Sequence, residues 1–320
     1  MSVDGGGTKV ISVLFNEKFE LLGCGEGGGI NPNFEARENI EIAMRKCINE
    51  SISPRRNLEL ETVYVSMPAL KEQELYIEIL KQYVNVEQVY YVNEGQMALL
   101  AGVQKSRGLV ALSGTGSGIF WVDEERIIHT GGWGSLLGDE GSGFYIGREG
   151  LKAAIKYYEE TGPYTVLYDL VMNEWKLNTM LDVIKKVYGV SSSRYVISSA
   201  VPLVSKAASM GDGIAVDIFR SAGKEMARQA IAMLKRLNIK QEIIVTIAGG
   251  SWKGSRIMFE AFRNAVIGAF PNVTVTVPLF EPVIGGVILQ AKKVDEGAVD
   301  EYLQVIKGQF GKFFYKPGWM

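Results

Sequence analysis

Asp4 closes a short apolar run and is followed at once by Gly5-Gly6-Gly7-Thr8-Lys9. Glycines in series let backbone N–H groups converge on an anion, and a threonine adds a hydroxyl donor. The acid would repel a bare phosphate. Beside a phosphate it makes sense if it holds Mg²⁺ through water, because magnesium keeps several waters and takes few carboxylates. The same residues also suit a tight hairpin with a turn aspartate. What raises the phosphate reading is repetition. From Val3 to Leu112, a shift of 109 positions, the pattern recurs as Leu112-Ser113-Gly114-Thr115-Gly116-Ser117. Each copy is followed by an apolar run, a polar turn (Asn16-Glu17-Lys18 or Asp123-Glu124-Glu125), a second apolar run and glycine. Two glycine-hydroxyl loops opening the same unit predict a duplicated fold that holds a phosphate. The second loop has two hydroxyls and no acid, so the metal belongs to the first.

Three further stretches could do chemistry. Gly131-Gly132-Trp133-Gly134-Ser135-Leu136-Leu137-Gly138-Asp139-Glu140-Gly141-Ser142-Gly143 packs six glycines into 13 residues before a helical region. It reads either as a loop facing a ligand or as a linker whose Asp139 or Ser142 caps the helix. A tryptophan at Trp133 favours the ligand. Gly249-Gly250-Ser251 ends an apolar strand, a common place for backbone to meet a ligand at the carboxyl edge of a sheet, and equally an ordinary turn. Glu94, after the strand-like Val89–Val92, reads as an acid at a helix N-terminus, helped by the dipole.

Two decoys are set aside. Gly23-Cys24-Gly25-Glu26-Gly27-Gly28 has GxGxxG spacing, but Gly29-Ile30-Asn31-Pro32 follows and no helix opens there. His129, the only histidine, lies in an apolar run and reads as structural. With no P-loop motif and no nucleophile elbow beside His129, a P-loop NTPase and a Ser-His-Asp hydrolase are both disfavoured.

The elements that must position these residues alternate. The opening hairpin precedes a helix over Phe34–Ile52 that stops before Pro54, a strand over Glu61–Met67, and helical spacing over Glu72–Tyr83 with Leu75, Ile79, Leu80 and Tyr83 on one face. Strand Val86–Val92 and helix Glu94–Gln104 follow. After the polar string Gln104–Gly108 the unit repeats, then runs mostly helical from Ser142 to about Leu237. Strand Ile243–Ala248, helix Ser255–Ala269, strand Val273–Val277 and two helices over Ile284–Lys293 and Asp295–Lys307 close the chain. Strands alternating with helices predict α/β sheets of mixed sense, because each begins with a hairpin.

A chain of 320 residues with 47% hydrophobic content can bury two cores. Its net charge of −2 gives no basic footprint, so neither nucleic acid nor an anionic membrane is expected as a partner. No apolar run approaches a span, no signal segment is visible, and Cys24 and Cys47 form no paired motif. A cytoplasmic location is expected.

With these motifs in place, the chain resembles the actin-like ATPase and sugar kinase superfamily. Val3–Lys9, Leu112–Ser117 and Ala248–Ser251 look like its two phosphate motifs and its adenosine motif. Gly131–Ser142 and Glu281-Pro282-Val283-Ile284-Gly285-Gly286 are similar to the N-acetylglucosamine kinases and the BadF/BcrA-type ATPases. The resemblance implies two ribonuclease-H-like (actin-like) domains around a cleft. The first would span 1–107 with a C-terminal helix at about 286–320 packing back on it. The second would span 108–285 with a helical insertion. It implies ATP and Mg²⁺ as cofactors, with Asp4 in the metal's water shell. Gly6, Gly7, Thr8, Lys9, Gly114, Thr115, Gly116 and Ser117 would cradle phosphates, and Gly249, Gly250 and Ser251 would face the nucleotide. Asn31, Gly132, Trp133, Gly134 and Asp139 would meet the sugar. Glu94 stands where the family has an aspartate base after Asn or Thr, and so would contact the acceptor; Asp139 is the fallback.

The activity so implied is ATP-dependent phosphorylation of a small sugar or sugar acid, N-acetylglucosamine-like, hexose-like or 2-keto-3-deoxygluconate, by a homodimer. The alternative is an ATPase driving a partner, like the dehydratase activators. Those bridge an iron–sulfur cluster with paired cysteines, which Cys24 and Cys47 do not provide. A sugar-sensing regulator would need a DNA-binding module, and no such segment precedes Asp4.

Overall fold

The two predicted hairpins each seed a five-stranded sheet. A computed structural model describes residues 1–53, 58–189 and 193–320. Strands β1 (Ser2–Gly5), β2 (Lys9–Phe15) and β3 (Leu21–Gly28) form the first hairpin unit. Helix α1 (Arg37–Ile52) leads to β4 (Glu59–Ser66), α2 (Leu70–Leu80), β5 (Asn85–Tyr91) and α3 (Glu94–Val103). The sheet order is β3-β2-β1-β4-β5, with β1 antiparallel to β2 and parallel to β4.

The second sheet repeats this with β6 (Gly108–Ser113), β7 (Ser117–Val122), β8 (Ile127–Gly131), β9 (Ile243–Ala248) and β10 (Val273–Thr276), in the order β10-β9-β6-β7-β8. Adding five to each strand number of the first sheet gives the second. Between β8 and β9 lie α4 (Gly143–Tyr158), α5 (Leu167–Glu174), α6 (Asp182–Tyr188), α7 (Ser193–Ser198), α8 (Val201–Ser209) and α9 (Gly213–Arg236); α10 (Arg256–Ala269) joins β9 to β10. The chain closes with α11 (Gly285–Val294) and α12 (Val299–Gln309). Among the described residues no helix is long and apolar enough to cross a membrane.

By contact density the chain divides into two units. Unit 1 comprises residues 1–110, 122–127 and 277–315, and unit 2 comprises 111–121, 128–276 and 316–320. Residues 277–285, which the resemblance assigned to the second domain, thus cluster in unit 1. In unit 1 the period-2 alternation of strands sorts the core into two faces. Val3, Val10, Val63 and Val65 pack with Ile40, Met44 and Ile48 of α1 and Leu75 and Ile79 of α2. Ile11 and Val13 face the other way and pack with Leu100 of α3, Val287 and Ile288 of α11 and Ile306 of α12. Each such fully buried aliphatic contributes about 1.5–3 kcal/mol.

Two details differ from expectation. Helix α2 stops at Leu80, and Tyr83 is 41% exposed, because the i→i−3 bonds Gln82 N–H to Ile79 O and Tyr83 N–H to Leu80 O turn the chain away into β5. Pro54, expected to stop α1, lies outside the described residues.

One close approach shapes the site. A methyl at Gly285 would lie 2.1 Å from the Met97 carbonyl, and one at Gly286 would lie 2.3 Å from Ser2 Oγ. Only glycine therefore lets the start of α11 press onto α3 and β1. Ser2 Oγ donates to the Val283 carbonyl at 2.6 Å and secures the contact. This brings Glu281, two residues upstream, to Asp4.

Candidate active site

Unit 1 gathers carboxylates. Asp4 is on β1 in register with Ser66 of β4. The loop after it is closed by Gly6 N–H donating to Lys9 O (2.8 Å), and Gly6 O accepts from Ile30 N–H (3.0 Å). That second bond draws the 27–33 segment, with Asn31, to the glycine loop. Asn31 Oδ1 accepts from Asn33 N–H at 3.0 Å, so an Asx-type turn holds the segment. Thr8 and Lys9 are exposed at the loop tip. A methyl added at Gly6 would meet no atom within 4 Å.

Glu94 is the first residue of α3. Asn93 caps this helix, its Oδ1 accepting from Gly95 N–H at 2.8 Å. A helix N-terminus favours a charged carboxylate. Here burial wins: it pushes Glu94 up to about 7, and the negative charge of Asp4 adds to the rise. Asp4 is likewise raised to about 7, by burial and then by the charge of Glu281, with Lys9 pulling the other way. Carboxylates poised near neutrality can trade a proton with a bound hydroxyl, and where their charges interact the titration belongs to the pair. The excess of negative charge is also what a cation would relieve. Among the described residues no group of three or more His, Cys, Asp or Glu side chains could hold a metal ion by itself. The donor set fits Mg²⁺, which takes one or two carboxylates and fills its shell with water and phosphate oxygens.

Unit 2 repeats the loop wiring with different chemistry. Gly114 N–H donates across its loop to Gly116 O (2.9 Å), and Gly114 O accepts from Gly143 N–H (2.7 Å) and Ser251 Oγ (3.0 Å). Phe144 N–H reaches Thr115 O at 3.3 Å. The second loop, the start of α4 and the Gly249–Ser251 segment are therefore one assembly. Gly249 has φ +98°, and a methyl there would lie 2.3 Å from Ser113 O, so only glycine fits where β9 leaves the sheet beside the loop. Gly250 and Gly114 have open space around them, with nothing within 4 Å of an added methyl.

Asp139 is 3% exposed and binds inward. Its Oδ1 accepts from Ser117 N–H at 3.5 Å, it accepts from Gly134 N–H, and its Oδ2 pairs with Arg194 of α7. Burial raises its pKa, opposed by Arg194. Ser142 caps α4, its Oγ accepting from Tyr145 N–H at 3.1 Å. The Trp133 loop is a structured turn, closed by Gly138 N–H to Gly134 O at 2.8 Å, with Gly132 and Gly134 at φ +70° and +84°. Its apolar side chains face solvent: Trp133 is 74% exposed. His129 stacks on Phe120 with centroids 4.4 Å apart, and burial lowers its pKa, so it packs as read from the sequence.

Two charged residues had no role in the sequence reading. Glu281 opens the Glu281–Gly286 motif, yet only the approach of α11 to β1 brings its charge to bear on Asp4. Arg194 lies in the helical region, where no spacing or motif distinguishes it from other surface-type arginines.

A family model for the BadF/BadG/BcrA/BcrD ATPase family matches residues 2–289. The chain is 24% identical over 302 residues to the N-acetylmuramic acid/N-acetylglucosamine kinase of Clostridium acetobutylicum, covering 92% of this chain and 99% of that one. It is 25% identical over 309 residues to the N-acetyl-D-glucosamine kinase of Dictyostelium discoideum, covering 90% and 96%. The structure of a candidate N-acetylglucosamine kinase from Porphyromonas gingivalis superposes with a TM-score of 0.69 at 21% identity over 90% of this chain and 96% of that one, a likeness of fold. The paired sheets bear out the expected α/β architecture of two ribonuclease-H-like units, and the extent of the family match decides the rest: the chain belongs to the BadF/BadG/BcrA/BcrD ATPase family.

Proposed function

We propose that this protein is an ATP-dependent sugar kinase whose acceptor is an amino sugar of the N-acetylglucosamine or N-acetylmuramic acid class. One observation carries the reading: near an open glycine loop, burial pushes both Asp4 and Glu94 up to about 7, and the charge of Asp4 adds to the rise of Glu94. A general base works best with a pKa near the working pH. Glu94 accepts the proton of the acceptor hydroxyl and orients its oxygen toward the terminal phosphorus of ATP. Asp4 would hold Mg²⁺ through water, and the ion would supply neutralisation of charge on the phosphate oxygens. Gly6, Gly7, Thr8 and Lys9 of unit 1 are phosphate ligands in this reading, as are Gly114, Thr115, Gly116 and Ser117 of unit 2. Gly249, Gly250 and Ser251 border the nucleotide. Asn31, beside the first loop, and the Trp133 loop with Gly132, Gly134 and Asp139 meet the sugar. Such transfer needs little covalent chemistry from the protein, which mostly positions and stabilises charge.

The glutamate in place of the family's aspartate moves the charge outward by about one C–C bond, and near-attack geometry is sensitive at about 1 Å. An acceptor bulkier or more acidic than N-acetylglucosamine, including 2-keto-3-deoxygluconate, therefore belongs in the test. A cytoplasmic homodimer, with neither nucleic acid nor membrane as partner, completes the proposal.

The experiment is ADP release from Mg-ATP against N-acetylglucosamine, N-acetylmuramic acid, hexoses and 2-keto-3-deoxygluconate. Stimulation by an amino sugar supports the reading. ADP release that no sugar stimulates sinks it and turns attention to a partner-driving ATPase. Against that second reading, Cys47 is buried, bonded to Ser12, and its thiol is pushed up to about 11, a poor start for a cluster ligand.

A further inference from the structure

The second glycine loop lacks an acid, yet it has a cation that no motif announces. The Arg194 guanidinium, brought in by the helical insertion, lies over Gly116: a methyl at Gly116 would be 2.5 Å from Nη2 and 3.2 Å from Asp139 Oδ2. The side chain is 11% exposed and its partner Asp139 is 3% exposed. Asp139 in turn accepts from Ser117 N–H of the loop and from Gly134 N–H of the Trp133 loop. The loop, the tryptophan turn and the insertion thus meet at one carboxylate, with one arginine above it. A buried ion pair is weak evidence for stability, because desolvation of two charges offsets much of their attraction. Its position over a loop with open space beside Gly114 suggests another use.

Resting on the kinase reading above, we propose that Arg194 is a phosphate-recognising residue: Asp139 holds its guanidinium over Gly116 so that it engages the phosphate chain of the bound nucleotide. An arginine has five N–H donors in a planar fork, so one guanidinium can bridge a carboxylate and a phosphate oxygen at once. Charge-assisted bonds of this kind are about twice as strong as neutral ones. Asp139 supplies orientation; Arg194 supplies the charge that the second loop's hydroxyls and amides do not.

The test compares binding of Mg-ATP and of adenosine, by calorimetry, in wild type, Arg194→Met, Arg194→Lys and the Asp139→Asn/Arg194→Met double variant. Arg194→Met is expected to weaken Mg-ATP by about 10- to 100-fold, as for a lost charge-assisted bond, and to leave adenosine within about twofold. Arg194→Lys recovers part of the loss, as a point charge without the fork. The double variant leaves no unpaired buried charge, so it tests the idea even if Arg194→Met does not fold. It keeps the Mg-ATP defect if Arg194 touches phosphate. Wild-type affinity for Mg-ATP in the double variant overturns the proposal, since Arg194 then serves only to neutralise Asp139. Equal loss for adenosine and Mg-ATP overturns it too. A wild-type chain that binds no ATP overturns the kinase reading and this proposal together.

Discussion

The two glycine loops are wired alike and charged differently. In each, the first glycine donates across its own loop (Gly6 to Lys9, Gly114 to Gly116), and its carbonyl accepts from a segment arriving later in the chain (Ile30; Gly143 and Ser251). Backbone hydrogen bonding therefore repeats with the topology. The side chains do not. Around the first loop stand Asp4, Glu94 and Glu281; burial first, and then neighbouring negative charge, keeps the protons on Asp4 and Glu94. Around the second stand hydroxyls and a closed Asp139–Arg194 pair. The repeated topology carries two loops with like backbone bonding, and a few side chains set them apart: carboxylates by the first, hydroxyls and an arginine–aspartate pair by the second.

The sharpest way to break this contrast is Glu94→Gln. If the first loop alone does proton transfer, turnover falls by about 10²–10⁴-fold, the usual worth of a general base. Mg-ATP binding should survive. Unchanged turnover in an ADP-release assay with an amino sugar would remove Glu94 from the chemistry. Asp4→Asn comes next. It is expected to raise the Mg²⁺ concentration needed for half-maximal rate by about 10–100-fold, the range for residues that steady a metal through its outer shell. A variant with the wild-type magnesium dependence would take the metal away from Asp4.

The acid pair also predicts opposed pH dependences. The base must be ionised, so kcat/KM should rise about tenfold per pH unit up to about 7 and then level off. Stability should run the other way. Asp4 and Glu94 ionise near 3.8 and 4.5 when unfolded but near 7 when folded. Between those values the folded state holds more protons, so the ligand-free protein loses stability as pH rises from about 4 through about 7. Thermal melts across that range check the sign, and Glu94→Gln should flatten the slope. A slope untouched by that change would mean that Glu94 is not the buried acid described here.

What the sequence made legible follows from range. Strand and helix identities, the repeated hairpin and the glycine loops are local signals, and they match the observed elements from β1 to α12 within a few residues. Glu94 was readable as an acid after a strand because its helix, cap and neighbours are contiguous. Its elevated pKa was not, because it comes first from tertiary burial and then from Asp4, 90 positions away in sequence. Glu281 is farther still and depends on two glycines letting α11 approach β1. Asp139 shows the limit from the other side. Its loop reads as ligand-facing or as a helix cap, and the resemblance implies a sugar contact; none of these readings points to Arg194, the partner its carboxylate holds 55 residues away in a helix without distinctive spacing. Tertiary charge pairing has no periodicity, so no pattern in the chain reveals it.

The smallest expected effects separate cradle from scaffold. Gly6→Ala and Gly114→Ala add a methyl where nothing lies within 4 Å, so stability should change by no more than about 0.5 kcal/mol, as for open surface positions. Both should nevertheless weaken Mg-ATP, because the methyl occupies space a phosphate would use. Gly249→Ala is the reverse case. It meets the Ser113 carbonyl at 2.3 Å from a backbone at φ +98°, and backbone cannot move aside as a side chain can. It should cost about 1–3 kcal/mol in a melt, the range for strained backbone and overpacking. If Gly6→Ala and Gly114→Ala cost as much stability as Gly249→Ala, the two loops are packed turns like the β9 exit, and their likeness is one of folding rather than of phosphate binding.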